Sequence, residues 1–196
     1  MRKNDSWICR LLALLSMAAV LTTSGCSVNV KKEKSGEDKD VDIRTPLGGI
    51  HVSKGANPDD VGVPVYPGAH LREKDSDGSD KSANVNISGF GFGLKVVALE
   101  YESSDSPEKV VSYYKDQLKR YGNVLVCHTG HLNLNTRPAH GDGESHELTC
   151  EGPSGNNIEL KVGTKENQRI VAVEPQGSGS KFSLVYVRTH GKDADI

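Results

Sequence analysis

Apolar and polar residues are spread unevenly along this chain, and the spread divides it. Leu11 to Leu21 (LLALLSMAAVL) is almost wholly apolar, whereas Val30 to Asp40 (VKKEKSGEDKD) has hardly an apolar side chain. A segment of the second kind cannot bury enough surface to offset its ordering entropy, so residues 26–40 are expected to form a disordered tether. Alternation begins with Val41-Asp-Ile-Arg and returns with Ile50-His-Val-Ser, on either side of Pro46-Leu-Gly-Gly. That is the pattern of a small β-hairpin. A lone hairpin is marginal in water, so this one is expected to dock on the rest of the chain or on a partner. The polar residues from Lys54 to Asp60 complete a hairpin-and-linker unit over 41–60.

The main folded unit is expected over 61–190, opening on Val63-Pro-Val-Tyr-Pro-Gly-Ala and leaving 191–196 as a tail. Strand patterns run from Ala83 to Ser88 and from Leu94 to Ser103. A helix then has a complete set of signals. Asp105 or Ser106 can cap it, Pro107 suits its first turn, and Glu108 faces the positive end of its dipole. Val110, Val111, Tyr114, Leu118 and Tyr121 recur at helical spacing, and Gly122 closes the element. Further strands are expected near 123–128, 145–151, 156–163, 168–174 and 181–189, with turns at Asn167 and Gln176-Gly-Ser-Gly. One helix among many strands joined by short turns predicts an α+β fold: an antiparallel sheet with the helix packed on one face.

Met1-Arg-Lys and Arg10 place positive charge ahead of the apolar run, the layout of a secretory signal. The run is shorter than the roughly 20 residues a membrane-spanning helix needs. It leads into Thr22-Thr-Ser-Gly-Cys26, small residues that allow an extended backbone to enter a peptidase site. The segment resembles the lipobox of bacterial lipoproteins, with Thr23 where that pattern more often has Leu. The resemblance implies cleavage before Cys26, removal of residues 1–25 and lipid on the Cys26 thiol. Two or more acyl chains hold a protein stably on a bilayer, each buried CH₂ adding about 0.8 kcal/mol. By resemblance to Gram-negative lipoproteins, Ser27 differs from the Asp that favours inner-membrane retention. An outer-membrane, periplasm-facing location is therefore expected where the cell has an outer membrane.

Loss of residues 1–25 removes three basic residues and one acidic residue, leaving 21 against 25 and a net charge of −4. Phosphate contacts require clustered Lys and Arg, so nucleic acid is not an expected partner. The expected partners are the membrane, through the lipid, and another envelope protein or a glycan.

With Cys26 acylated, Cys127 and Cys150 remain as a pair. In an oxidising compartment such a pair most often forms a disulfide. Closing the intervening loop would contribute about 3.4 kcal/mol on the chain-entropy model. The alternative is zinc, because His128, His131, His140 and His146 lie between or beside the two thiols, and zinc accepts Cys and His in tetrahedral sets. Their spacings lack the compact pairs of zinc fingers. Disulfide formation would also remove the two best ligands.

Other patterns fall short of the chemistry they suggest. Asp75-Ser-Asp-Gly-Ser-Asp80 lacks the third ligand before its glycine and the later bidentate Glu of a calcium loop, and reads as a polar turn. Ser112-Tyr-Tyr-Lys115 matches S-x-x-K without the S-D-N and K-T-G companions of penicillin-binding proteins. His146-Glu-x-x-Cys150 lacks the second His of a zinc-protease helix. No G-x-S-x-G provides a nucleophile elbow. Gly89-Phe-Gly-Phe-Gly93 precedes no helix that could present its N-terminus to phosphate.

The VPVYPGA opening, the helix SPEKVVSYYKDQLKRYGNVLVC, the tail ELKVGTKENQRIVAVEPQGSGSKFSLVYVRT and the TPLGGIHV hairpin together resemble uncharacterised bacterial putative lipoproteins. That resemblance brings no activity with it. The resulting expectation is a lipid-anchored, non-enzymatic binding or assembly module with no catalytic residues and no cofactor. A metal-binding lipoprotein using residues 127–150 is the alternative, and an uncharacterised hydrolase is a further one.

Overall fold

The computed structural model describes residues 26–32, 38–53, 55–72, 81–89, 91–130 and 146–190. Ten strands are present among them: β1 (Ser27–Lys32), β2 (Asp38–Thr45), β3 (Gly48–Ser53), β4 (His70–Leu71), β5 (Ser82–Gly89), β6 (Phe92–Ser103), β7 (Leu125–Thr129), β8 (Asn157–Thr164), β9 (Asn167–Gln176) and β10 (Gly179–His190). They form one antiparallel sheet in the order β1-β2-β3-β5-β6-β10-β9-β8-β7, and β4 pairs with the end of β6. A four-residue helix, α1 (Pro58–Val61), the main helix, α2 (Pro107–Leu118), and a 3-10 turn (Lys119–Tyr121) that continues α2 to Gly122 complete the set. The fold is α+β, with one major helix packed on an antiparallel sheet.

Helix α2 begins where the sequence signals place it. Ser106 has an extended backbone at the N-cap, Pro107 occupies the first turn, and Glu108 lies near the N-terminal dipole. Its buried residues Val110, Val111, Tyr114 and Leu118 form one stripe. That stripe packs on Val97, Leu99, Leu160, Val162, Val171, Val173, Phe182 and Leu184 from β6 and β8–β10. Fully burying each such side chain is worth about 1.5–3 kcal/mol. Phe182 sits among Tyr66, Tyr101 and Tyr114, whose ring centroids lie 5.6–6.3 Å away, within the range of favourable aromatic contacts.

Residues 57–69 close the end of this core. Asn57 caps α1 by accepting the Asp59 N–H at 3.0 Å, and Gly62 ends it at φ 73°. The left-handed turn presents backbone carbonyls to cations and hydroxyls. Val61 O accepts from Arg169 Nε at 2.9 Å, and Gly62 O accepts from Arg120 and from the Tyr121 hydroxyl. The Arg169 guanidinium also lies 4.0 Å from the Tyr121 ring centroid and 4.9 Å from that of Tyr186.

Several expectations differ from the structure. Part of the segment read as a disordered tether is a strand: β1 pairs with β2 in the register Ser27↔Arg44, Val28↔Ile43, Asn29↔Asp42, Val30↔Val41. Backbone pairing and the Val28/Val30 alternation outweigh the high charge density there. The hairpin of β2 and β3, by contrast, docks on the rest of the chain, one of the two outcomes expected of it, by extending the sheet through β3–β5 pairing. The linker after it ends in α1. Residues 146–156, expected to include a strand, are irregular in conformation. The Asp75–Asp80 turn and the 191–196 tail lie outside the described residues.

Candidate functional site

Alternation along each strand sends successive side chains to opposite faces, so register assigns the faces. One face carries the α2 core. On the other, cross-strand pairs join apolar residues in two adjacent rows. The first row is Val30↔Val41↔Val52↔Val85↔Val96 and the second is Val28↔Ile43↔Ile50↔Ile87↔Leu94. Such pairs stabilise a sheet by about 0.2–1 kcal/mol each.

The two ends of these rows differ in exposure. At the inner end Leu94, Val96 and Ala98 pack with buried Ile170, Val185 and Val187. Toward the outer end exposure rises: Ile50 and Val30 are 39% exposed and Val28 is 66% exposed. Among the described residues no helix lies over this end of the face. Contiguous apolar surface of this kind on a folded chain marks an interaction site more often than scattered single residues do.

The reverse side of the same strands is polar. Asn29↔Asp42↔His51↔Asn86 forms one cross-strand row. Asp42, Arg44, His51, Asn86 and Ser88 line a shallow trough of about 410 Å³. Arg44 donates from Nε and Nη2 to the two Asp42 carboxylate oxygens at 3.2 and 2.9 Å. The turn joining β2 and β3 is tight. Thr45 Oγ1 accepts the Leu47 N–H and donates to Gly48 O. A Cβ on Gly48 would stand 2.1 Å from Ser88 O, so only glycine allows β3 to start this close to β5.

The opposite end of the sheet is built differently. Cys127 and Cys150 form a disulfide with a Cα–Cα distance of 5.4 Å. The bond holds residues 146–156 across β8 and against β7. The N–H of Lys165 donates to His146 O, Lys161 Nζ to Thr149 O at 3.5 Å, and the N–H of Gly130 to Pro153 O at 2.8 Å. Lys161 and Glu159 point to this side and form a 3.2 Å ion pair whose two side chains are only 8% and 4% exposed. Thr129 Oγ1 is buried nearby without a hydrogen-bond partner among the described residues.

This arrangement bears directly on the zinc alternative. The disulfide commits both thiols. His128 follows Cys127 in β7 and therefore faces the other side of the strand. His146 Nδ1 is 2.7 Å from Glu166, which holds it at the β8–β9 turn. Burial raises the Glu166 pKa, but hydrogen bonds from His146, its own backbone N–H and Thr164 outweigh that and lower it. His131 and His140 lie outside the described residues. Among the described residues no three metal-ligating side chains converge. Cys26 is exposed and unpaired, one residue before β1.

A further polar cluster lies at the start of α2. Asp105 accepts from Lys109 Nζ at 2.8 Å and from the Tyr66 hydroxyl at 2.9 Å, and these bonds lower its pKa. Burial and the Asp105 contact raise that of Tyr66. Tyr114 Oη accepts the Tyr66 N–H at 2.9 Å. Each of these groups is used in holding the 63–69 segment to the helix.

The signal of the apolar face is present in the sequence, spread over four separate segments. Val-Asn-Val, Val-Asp-Ile, Ile-His-Val and Val-Asn-Ile, at 28–30, 41–43, 50–52 and 85–87, are four copies of one apolar–polar–apolar pattern. No protein-family model, no curated protein and no solved structure matches the chain.

Proposed function

We propose that the protein is a lipid-anchored component of the bacterial cell envelope, acting as a binding or assembly module and not as a catalyst. The apolar rows that open toward β1 support this reading most strongly. They end at Val28, the most exposed of the large apolar residues among those described, two residues after Cys26. An apolar face left open on strands that start beside an acylated cysteine would engage a partner close to the bilayer. The basic N-terminal residues, the apolar run to Leu21 and the small residues before Cys26 support export and acylation. A disulfide across 127–150 fits an oxidising compartment.

A photo-crosslinking residue at Val28, compared with one at Leu71 in intact cells, tests the reading. Leu71 is exposed as well, but it pairs with Tyr101 at the end of β6 and so belongs to the face that carries the α2 core. A discrete crosslinked product from position 28 alone is expected. Equal labelling from both positions, or none from position 28, would contradict the proposed surface.

A further inference from the structure

We infer that the chain pairs with a second copy of itself through β1, edge to edge and antiparallel, with Asn29 of each copy at a two-fold axis. The inference deepens the proposed function, because it names the partner of the open end of the sheet, and it relies on the lipid anchor for the strength of the association.

The sheet has two ends, and they are treated differently. At β7 the disulfide and the Gly130–Pro153 hydrogen bond hold residues 146–156 against the strand. At β1 no described residue pairs with the outer edge. An edge strand presents a row of unpaired N–H and C=O groups that templates a further strand unless it is covered, bulged or charged. The regular β1–β2 ladder runs from Ser27 to Lys31, where a register shift interrupts it. Asn29 is the midpoint of that regular stretch.

Antiparallel pairing about Asn29 is self-complementary. It places Val28 opposite Val30 of the second copy, and Val30 opposite its Val28. Sliding the register by two residues in either direction leaves one valine pair in place of two. Sliding it by one residue is excluded, because opposite residues in a ladder must share a face. The symmetry axis of two antiparallel edge strands is normal to the sheet, so both apolar faces stay on the same side. The rows Val30-Val41-Val52-Val85 and Val28-Ile43-Ile50-Ile87 would then run on from one copy into the other. The most exposed valines of the monomer become interior positions of a continuous sheet.

The same symmetry suits membrane attachment. Two chains anchored in one leaflet can be related only by an axis along the membrane normal, which puts both Cys26 residues at one height. Each lies three residues from Asn29, about 10 Å along the strand. A five-residue edge pairing is small beside ordinary stable interfaces, which bury about 1,200–2,000 Å². Confinement to a bilayer raises the effective concentration of the two strands, as a tether does for linked modules.

Asn29→Cys in the full-length protein, oxidised in isolated envelopes, tests the pairing. Cysteines opposite one another at the axis lie within disulfide reach. Asn86→Cys is the control: it lies in the same polar row, three strands further in, and is exposed. At least tenfold more disulfide-linked dimer is expected from Asn29→Cys than from Asn86→Cys. Adding Val28→Lys and Val30→Lys should return the dimer to the control level, with unchanged protease resistance of the sheet domain as proof of folding. Dimer no greater than the control, or dimer that survives the two lysines, overturns the inference. Palmitate incorporation measured on the same samples separates the two readings. An unlabelled dimer would remove the anchor and leave the pairing, whereas a labelled chain without dimer would remove the pairing and leave the anchor.

Discussion

Replacing Cys127 and Cys150 together by alanine removes the one covalent link among the described residues that ties 146–156 to the sheet. The bridge spans a sequence separation of 23. Releasing a loop of that length in the unfolded chain costs about 3.4 kcal/mol of stability on the chain-entropy model. Cys127 is also buried in β7, so the smaller alanine adds a packing loss of about 1 kcal/mol. With a urea m-value of about 2 kcal/mol/M, the unfolding midpoint should fall by about 2 M. Hydrogen exchange sharpens the test by locating the loss. The Gly130 and Lys165 amides, which donate to Pro153 O and His146 O, should lose protection first, while the α2 core keeps its own. Reduction of the wild-type protein should reproduce both effects. A midpoint shift below about 0.5 M, or uniform loss of protection across the sheet, would refute the reasoning. In that case the hydrogen bonds alone would hold the segment, and the disulfide would add little.

Three further outcomes follow from named contacts. Glu159→Leu alone leaves Lys161 charged and buried and should cost about 3 kcal/mol, whereas Glu159→Leu with Lys161→Met should be near neutral in the same urea titration. Tyr114→Phe removes the acceptor of the Tyr66 N–H and should cost about 1–2 kcal/mol, read by calorimetry against Tyr113→Phe as the half-buried control. Asp105 and Glu166 both have lowered pKa values in the folded chain, Asp105 chiefly through Lys109 and Tyr66, and Glu166 through His146 once burial is outweighed. Their stabilisation is therefore fully present above the unfolded carboxylate pKa of about 4 and is lost as pH falls through the folded values. Asp105→Asn should flatten the fall in urea midpoint between pH 6 and pH 3, and an unchanged slope would contradict the assignment.

How much was legible in the sequence depended on which forces decided each segment. Helix α2 carries its boundary signals locally in Ser106, Pro107, Glu108 and Gly122, so its extent follows from residues within a few positions. The strands β5, β6 and β8–β10 have strong alternation and turn residues, and the α+β fold follows from their order around one helix. The Cys127–Cys150 bond was legible because cysteine in such a pair has few alternatives. β1 was not, because VKKEK suggests charge repulsion while the decisive term is pairing with β2, six to seventeen residues away in sequence. The irregular 146–156 segment departs from its strand pattern for the complementary reason. His146-Glu-Leu-Thr-Cys alternates like a strand, but its place is fixed by a disulfide and by hydrogen bonds to turns. The apolar face is a property of register. It appears only when four short patterns are laid side by side, and no single strand reveals it.

The central claim is that the mature chain begins at an acylated Cys26 and presents its open sheet edge beside the membrane. Intact-mass and N-terminal peptide analysis of the protein extracted from membranes tests it most directly. The account predicts a chain starting at Cys26 that carries a diacylglyceryl modification and fractionates with the membrane. A chain that starts elsewhere, or an unmodified Cys26 on a protein free of the membrane, would contradict it.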